Sequence, residues 1–551
     1  MGEKNRIGTI IYVETEDKYS YPYQTWYQPL QKISKKVVTF DPRWNFFHYG
    51  KDKMNEMFLN LVKIEKPDHI FLFIGSDEFY ISTLIKIRNI SPKTLLFAFF
   101  SDDDIYYSSH TRYIHLFIDY ATAFQRKYFY LYKKDGFPTP FSADVTNTDL
   151  FKPINLVKKY DVTFIGYPLL EKAKRYDYIK YLKDNGIKIN LMGRGWTKYP
   201  DLKEIYNGAP NSEDMVKIIN QSKINLCLSR SNQGKTSTKT KMYEAVACNT
   251  FVLTEYCDGY LDKFKEGRDI ISFKTKEELL EKVNYYLKNE KERKKIAKNA
   301  YKIVTQKCNI YKMLKEMFNE INTKNPNREH KNIIKISKKI KCITKKDLDL
   351  GNNRLKEILK NYDYVYFKKG KSQNLEFREY LQLFSLEKSK KEISCGNYNV
   401  FSKSLGDYLY FISHLAIKTL DKKIFDSLID INQIMVKKNY FLKNYDIFKK
   451  VFEGKEINFI NEDNTVFVSL PIVRIWKCPV KKYEIIKKVY KPKFLYHLFS
   501  LKSQNKLFRS IYPYLLLLNI FKGQKFIVDA IKENITDNDK KKKLESFKRA
   551  S

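Results

Sequence analysis

Along residues 7 to about 150, short apolar runs alternate with longer stretches in which apolar side chains recur every three or four positions. The runs Thr9–Glu14, Val37–Phe40, His69–Ile74 and Leu95–Phe100, with a weaker His115–Ile118, predict strands, and Lys53–Ile64 and Phe79–Ile90 predict helices between them. Strands that alternate with helices form a parallel sheet covered on both faces, and ligands bind off the carboxyl ends of its strands. A turn-rich break over Lys134–Pro140 and a loop over Phe141–Pro153 interrupt this pattern, and a second series follows. Tyr160–Gly166, Lys188–Met192, Ile224–Leu228 and Phe251–Thr254 read as strands, and Asn211–Asn220 and about Ser237–Cys248 as helices. Glu277–Ile321 is a long amphipathic helical run. Lys324-Asn325-Pro326-Asn327 reads as a linker. Beyond it, Tyr364–Phe367, Val466–Leu470 and Val473–Trp476 predict strands and Glu376–Leu386, Asp407–Leu420 and Phe425–Val436 predict helices. The pattern therefore divides the chain into a Rossmann-like α/β unit over 1–150, a second over 151–323, and an α+β accessory unit over 324–551.

The most informative polar residues lie between Ile224 and Phe273. A buried strand runs into a loop rich in Ser, Gly, Lys and Thr, then a helix, then the next strand. Lys241, Glu244, Ala245 and Cys248 are spaced i, i+3, i+4 and i+7, so they share one helical face. Backbone N–H groups at a helix N-terminus attract phosphate, and a nearby carboxylate accepts hydrogen bonds from a ribose diol. Lys235, Lys239 and Lys241 crowd the phosphate end. The same residues also fit a solvated basic loop with Glu244 on an exposed face. Gly234-Lys235-Thr236 resembles the end of a P-loop, but Ser229 stands where its first glycine belongs.

Other strand ends carry further candidates. Gly166 ends a strand, where a missing side chain lets backbone approach a ligand. Arg194 sits between Gly193 and Gly195 and fits either a diphosphate contact or a surface turn. Asp102, Asp103 and Asp104 follow the fourth strand and fit a metal-binding Asp-x-Asp, a cleft carboxylate or the N-cap of a helix. His110 is a candidate general base if its pKa lies near neutral, and otherwise an ordinary histidine of a Tyr/Ser-rich loop.

The runs KMYEAVACNTFVLTEY, FKEGRDIISF and LLEKVNYYLKNEKERKKIAKNAYKIV resemble the C-terminal half of GT-B glycosyltransferases, and within them the spore-protein CgeB-like group. The resemblance implies two Rossmann-like domains in the GT-B arrangement, with terminal helices crossing back onto the N-terminal half. It gives Lys241 the basic position of the motif, Tyr243 the aromatic one and Glu244 the role of holding the nucleotide ribose. A second glutamate expected eight positions earlier is replaced by Thr236, which touches the donor-sugar contact rather than the nucleotide site. An Asp-Asp pair after the fourth strand belongs to the same pattern and implies that Asp103, before Asp102, faces the cleft without a metal. The implied activity is transfer of a sugar from a UDP- or GDP-linked donor to a glycan or other cell-surface acceptor, with no metal and no further cofactor. Tyr362–Phe367 is similar to the strand before the metal motif of GT-A transferases, but Lys368-Lys369-Gly370-Lys371 follows it without a carboxylate, as in a degenerate GT-A-like module.

Composition narrows the setting. In 551 residues, 43% hydrophobic and 15% aromatic content excludes bulk disorder. Lys+Arg 102 against Asp+Glu 63 leaves a net charge of +39, spread along the chain, which fits either a solvated lysine-rich surface or attraction to anionic membrane and glycans. Charge and tyrosine content also fit a basic nucleic-acid binder, but there is no zinc pattern, RRM signature or basic arm, so nucleic acid is not expected as a partner. A GT-B scaffold without activity is a third reading. The seven cysteines form no C-x-x-C pair and read as free thiols in a reducing compartment. No signal peptide is visible, and the longest apolar run, Ile511–Phe521, is too short to span a bilayer. The expected location is the cytoplasm, and the charge leaves open a peripheral contact with the inner face of the membrane.

Overall fold

The computed structural model describes residues 7–14, 22–73, 78–100, 103–124, 126–169, 173–231, 234–323, 339–370, 372–374, 377–402, 406–410, 431–453, 459–461 and 463–475. Three sheets organise them. The first contains β1 (Ile7–Val13), β2 (Ser34–Phe40), β3 (His69–Leu72), β4 (Leu95–Ala98), β5 (Tyr120–Ala123) and β6 (Phe141–Ser142), in the order β2-β1-β3-β4-β5-β6. Every pairing in it is parallel. The second contains β7 (Tyr160–Ile165), β8 (Ile189–Met192), β9 (Ser222–Cys227), β10 (Val252–Glu255) and β11 (Ile271–Phe273), in the order β11-β10-β9-β7-β8 and again all parallel. Both are Rossmann-like α/β sheets, as the alternation of apolar runs and helical periods predicts.

Local signals explain the boundaries. The helix predicted from Lys53 begins at Pro42, because Asp41 caps it by accepting the Trp44 N–H at 2.8 Å and Pro42 occupies the first helical position. His115–Ile118 is not a strand. His115–Phe117 forms a 3₁₀ turn and the fifth strand is Tyr120–Ala123, whose small residues carry little hydrophobic signal. The long helical run divides into Lys276–Lys288, Glu290–Lys307 and Ile310–Thr323.

The last of these helices crosses back, as the GT-B resemblance implies. Ile310, Leu314, Met317 and Phe318 are buried in one cluster with Ile10, Tyr12, Trp26 and Phe71 of the first α/β unit. The Phe318 ring lies 4.7 Å from that of His69. The outgoing and returning segments are stitched where they pass: Thr146 N–H donates to the Cys308 carbonyl (2.9 Å) and Ile310 N–H to the Thr146 carbonyl (3.1 Å). Across the same seam Lys263 pairs with Asp144 at 3.1 Å.

The third sheet is mixed. It contains β12 (Ile340–Ile343), β13 (Tyr364–Phe367), β14 (Ser372–Asn374), β15 (Ile393–Ser402), β16 (Gly406–Tyr410), β17 (Ile434–Lys437) and β18 (Thr465–Ile475). Its order is β12-β13-β17-β15-β18-β14, with β16 paired to β15. Two helix expectations fail here. Asp407–Tyr410 lies within β16, and Ile434–Val436 within β17. The Ile511–Phe521 run lies outside the described residues. Among the described residues no helix is long and apolar enough to cross a membrane.

Candidate functional site

The carboxyl ends of β7, β8 and β9 meet at one edge of the second sheet, and glycine makes the meeting possible. A Cβ on Gly193, whose φ is +121°, would lie 2.2 Å from the Gly166 carbonyl oxygen. That same carbonyl accepts the Trp196 indole N–H at 2.7 Å. Gly166 and Gly193 thus bring two strand ends together within the protein. Trp196 belongs to the core cluster beneath, so its ring packs inward. Gly195, at φ +87°, completes the turn, and Arg194 beside it is exposed.

Sequence reasoning missed Arg175. This residue is 9% exposed, and its guanidinium donates to the Tyr167 carbonyl (2.9 Å) and the Leu228 carbonyl (3.2 Å). It therefore bridges the ends of β7 and β9 with a cation that forms no ion pair among the described residues, and its Nε has no hydrogen-bond partner. Burial pulls its pKa down to about 10. A lone arginine in RYDYIKYLKD looks like the polar side of an ordinary helix, so neither spacing nor a neighbouring glycine marks it.

The loop after β9 is anchored by Glu255 at the end of β10. The Glu255 carboxylate accepts the N–H groups of Ser229 and Arg230, each at 3.0 Å, pairs with the Arg230 side chain, and meets the Tyr178 hydroxyl at 3.3 Å. Glu255 is therefore committed inward and braces the loop. Further on, Arg230 and Thr236 form an isolated bridge. Ser237 N–H donates to the Ser229 carbonyl (3.0 Å) and Lys239 N–H to the Tyr260 hydroxyl (2.9 Å). These bonds hold residues 237–239 extended, so the helix spans Thr240–Ala247 rather than starting at Ser237. The Lys239 ammonium reaches the Ser237 hydroxyl.

Within that helix the sequence spacing places Lys241 and Glu244 together. Lys241 Nζ stands 3.0 Å from Glu244 Oε2 and 2.8 Å from the Met215 sulfur, on the neighbouring helix Ser212–Asn220. The Lys241 side chain is 46% exposed and that of Glu244 only 3%. The expected open carboxylate is instead covered by its own lysine. Tyr243 is fully buried on another side of the helix, with the Lys263 ammonium 5.3 Å from its ring centre, so its ring is packing rather than a ligand platform.

Asp103 and His110 fall in the first α/β unit, and the structure turns both inward. Thr111 donates its hydroxyl hydrogen to Asp103 Oδ1 at 2.6 Å, and the Tyr132 hydroxyl lies 2.9 Å from the same oxygen. Asp103 thus ties the short helix Asp103–Tyr106 to the packing below it. His110 is 4% exposed, and burial lowers its pKa to about 4 despite the opposing charge of Glu78. The near-neutral pKa that a general base requires is absent. Asp102 lies outside the described residues.

Residues 171–319 match the family described as glycosyl transferase-like. That stretch contains Arg175, the β9 loop, Lys241 and Glu244. Comparison with curated proteins gave no match. Among solved structures, the chain is similar to HepE from Anabaena, crystallised with UDP and glucose, at 11% identity and a TM-score of 0.42, covering 57% of this chain and 100% of that one. Sucrose-phosphate synthase from Thermosynechococcus elongatus is similar at 12% identity and a TM-score of 0.42, covering 57% and 99%. A glycosyltransferase from Rickettsia africae is similar at 11% identity and a TM-score of 0.42, covering 60% and 100%.

Chemically, the strand ends carry a buried guanidinium at Arg175, and the Thr240–Ala247 helix carries the buried Glu244 carboxylate with Lys241 in its first turn and Lys239 just before it. These groups can offer hydrogen-bond acceptance to a diol and positive charge to an adjoining anion.

Proposed function

We propose that the chain is a glycosyltransferase that uses a UDP- or GDP-linked sugar and passes the sugar to a glycan or other cell-surface acceptor. The observation that carries this reading is Glu244, a buried carboxylate one helical turn from a helix N-terminus, whose one ion-pair partner among the described residues is the half-exposed Lys241, 3.0 Å from Oε2 and without hydrogen-bond geometry. In this reading Glu244 accepts the ribose hydroxyls, and Lys241, Lys239, Arg194 and Arg175 surround the diphosphate, with Thr236 beside the donor sugar. Gly166, Gly193 and Gly195 shape the strand ends on which the nucleotide rests. The family match over 171–319 supports it, and so does the CgeB-like pattern of Lys241, Tyr243 and Glu244.

During transfer the bond between the sugar's anomeric carbon and the diphosphate oxygen breaks, and the electron pair leaves with the diphosphate. The acceptor oxygen forms the new bond and passes its proton to the departing diphosphate or to water. Fixed cations and backbone dipoles meet the charge that develops on the leaving group, and in this proposal they do so without a metal. Closing the two α/β units over the donor would keep water from the reaction. The accessory unit serves acceptor binding or docking at an anionic membrane.

The test is a thermal-shift panel of UDP- and GDP-sugars, followed by donor hydrolysis and transfer assays with and without EDTA. One nucleotide sugar should raise Tm, and Glu244→Ala should remove that shift and lower turnover by at least about tenfold, with EDTA changing neither. Stabilisation by oligonucleotides alone, falling with salt, would replace this reading by the nucleic-acid one.

A further inference from the structure

Two buried glutamates of the second α/β unit are treated differently by their surroundings. Glu255 accepts two backbone N–H groups, an arginine and a tyrosine, as a carboxylate with a structural duty does. Glu244 is as deeply buried, yet its one ion-pair partner among the described residues is the flexible Lys241 ammonium, 3.0 Å from Oε2, and that contact lacks hydrogen-bond geometry. Buried polar atoms are normally satisfied, so a carboxylate left this way calls for a ligand that completes it. That partner, the Lys241 side chain, is a flexible four-carbon stem nearly half exposed.

From this arrangement we infer that Lys241 is a displaceable cap on Glu244, so that the site admits nucleotides and turns away the corresponding nucleosides. The inference rests on the nucleotide-sugar reading of the same site. A ligand bearing phosphate offers Lys241 a new anion within reach, so the lysine changes partner and the carboxylate is freed for the diol. A nucleoside offers only neutral hydroxyls. To bind Glu244 it must break the ion pair and leave both Lys241 and part of the carboxylate without an equivalent partner, which penalises it. Charge complementarity thus becomes a specificity device, with the lysine attracting the right ligand and obstructing the wrong one.

The experiment is isothermal titration of the full chain with UDP and uridine, GDP and guanosine, and ADP and adenosine, for wild type, Lys241→Met and Lys241→Gln. Lys241 is exposed enough that both variants should keep the wild-type circular dichroism spectrum, with a lower Tm because the buried Glu244 loses its ion-pair partner. Removing the cap should weaken the preferred diphosphate and at the same time tighten its nucleoside by at least about tenfold. A lysine that merely touches phosphate would give the first effect without the second. A nucleoside affinity that is unchanged or weaker in both variants, while wild type binds the diphosphate, overturns the inference alone. If wild type binds none of the three diphosphates, the functional reading falls and this inference with it.

Discussion

His110, in the first α/β unit, and His69, at the start of β3 against the Phe318 ring, are both enclosed, and burial pulls each pKa from 6.5 to about 4. In the unfolded chain both titrate near the ordinary histidine value. Between about pH 4 and 6.5 the unfolded chain therefore holds protons that the folded chain does not. Stability rises with pH through this window and is lost on acidification, by roughly 3 kcal/mol per histidine over the whole interval. Urea unfolding at pH 7 and pH 4.5 should show the loss, and His110→Phe should remove about half of the pH slope. These two side chains also show what a sequence withholds. His110 in a Tyr/Ser-rich loop looks exposed until the turns around it close, whereas the Lys241–Glu244 pair is legible because i and i+3 must meet on any helix. That Glu244 would be covered by its partner depends on the rotamer the lysine takes, and no spacing encodes that.

Elements were legible wherever a periodic run carried its own stop signals. Tyr160–Ile165 and Ile189–Met192 stand where the apolar runs put them, and the Asn211 cap accepts the Asp214 N–H at 2.8 Å at the start of its helix. Tyr120–Ala123 is not legible as a strand because Ala and Thr give a buried strand no hydrophobic contrast. Ile434–Lys437 is a strand although its sequence reads as helix, because a short apolar run fits either period. The late start of the Thr240–Ala247 helix was hidden for another reason. It is set by tertiary hydrogen bonds to Ser229 and Tyr260, and ultimately by Glu255, which holds the first turn of the loop. Glu255→Ala would leave Ser229 N–H, Arg230 N–H and the Arg230 guanidinium without their shared acceptor. The expected cost is about 3 kcal/mol, read as a lower Tm. Faster amide exchange over residues 229–239 should accompany it, because these bonds hold the loop rather than the sheet.

At the scale of the molecule, the third sheet is not a separate ball on a tether. Its Phe384, on the helix Arg378–Ser389, is fully buried, 5.9 Å from the Tyr113 ring and 6.0 Å from the Phe137 ring of the first α/β unit. The Arg112 guanidinium, paired with Asp135 at 2.7 Å, lies 5.3 Å from the same ring. One cluster of buried side chains runs from Ile11 and Leu96 of the first sheet to Val365 and Ile393 of the third. The accessory unit therefore packs in one buried cluster with the first α/β unit, while the second α/β unit meets the first through the 143–159 segment and the returning Ile310–Thr323 helix. Phe384→Ala would remove a ring from the middle of this shared cluster and uncover a charged pair beneath it, at about 3–5 kcal/mol. If the two units share one core, that loss appears in both. Hydrogen exchange should then rise together over β4–β5 and over β13–β15, with the second sheet's β7 and β9 less affected. A rise confined to β13–β15 would mean that the third sheet only leans on the first, and that its contact carries no part of the first unit's stability.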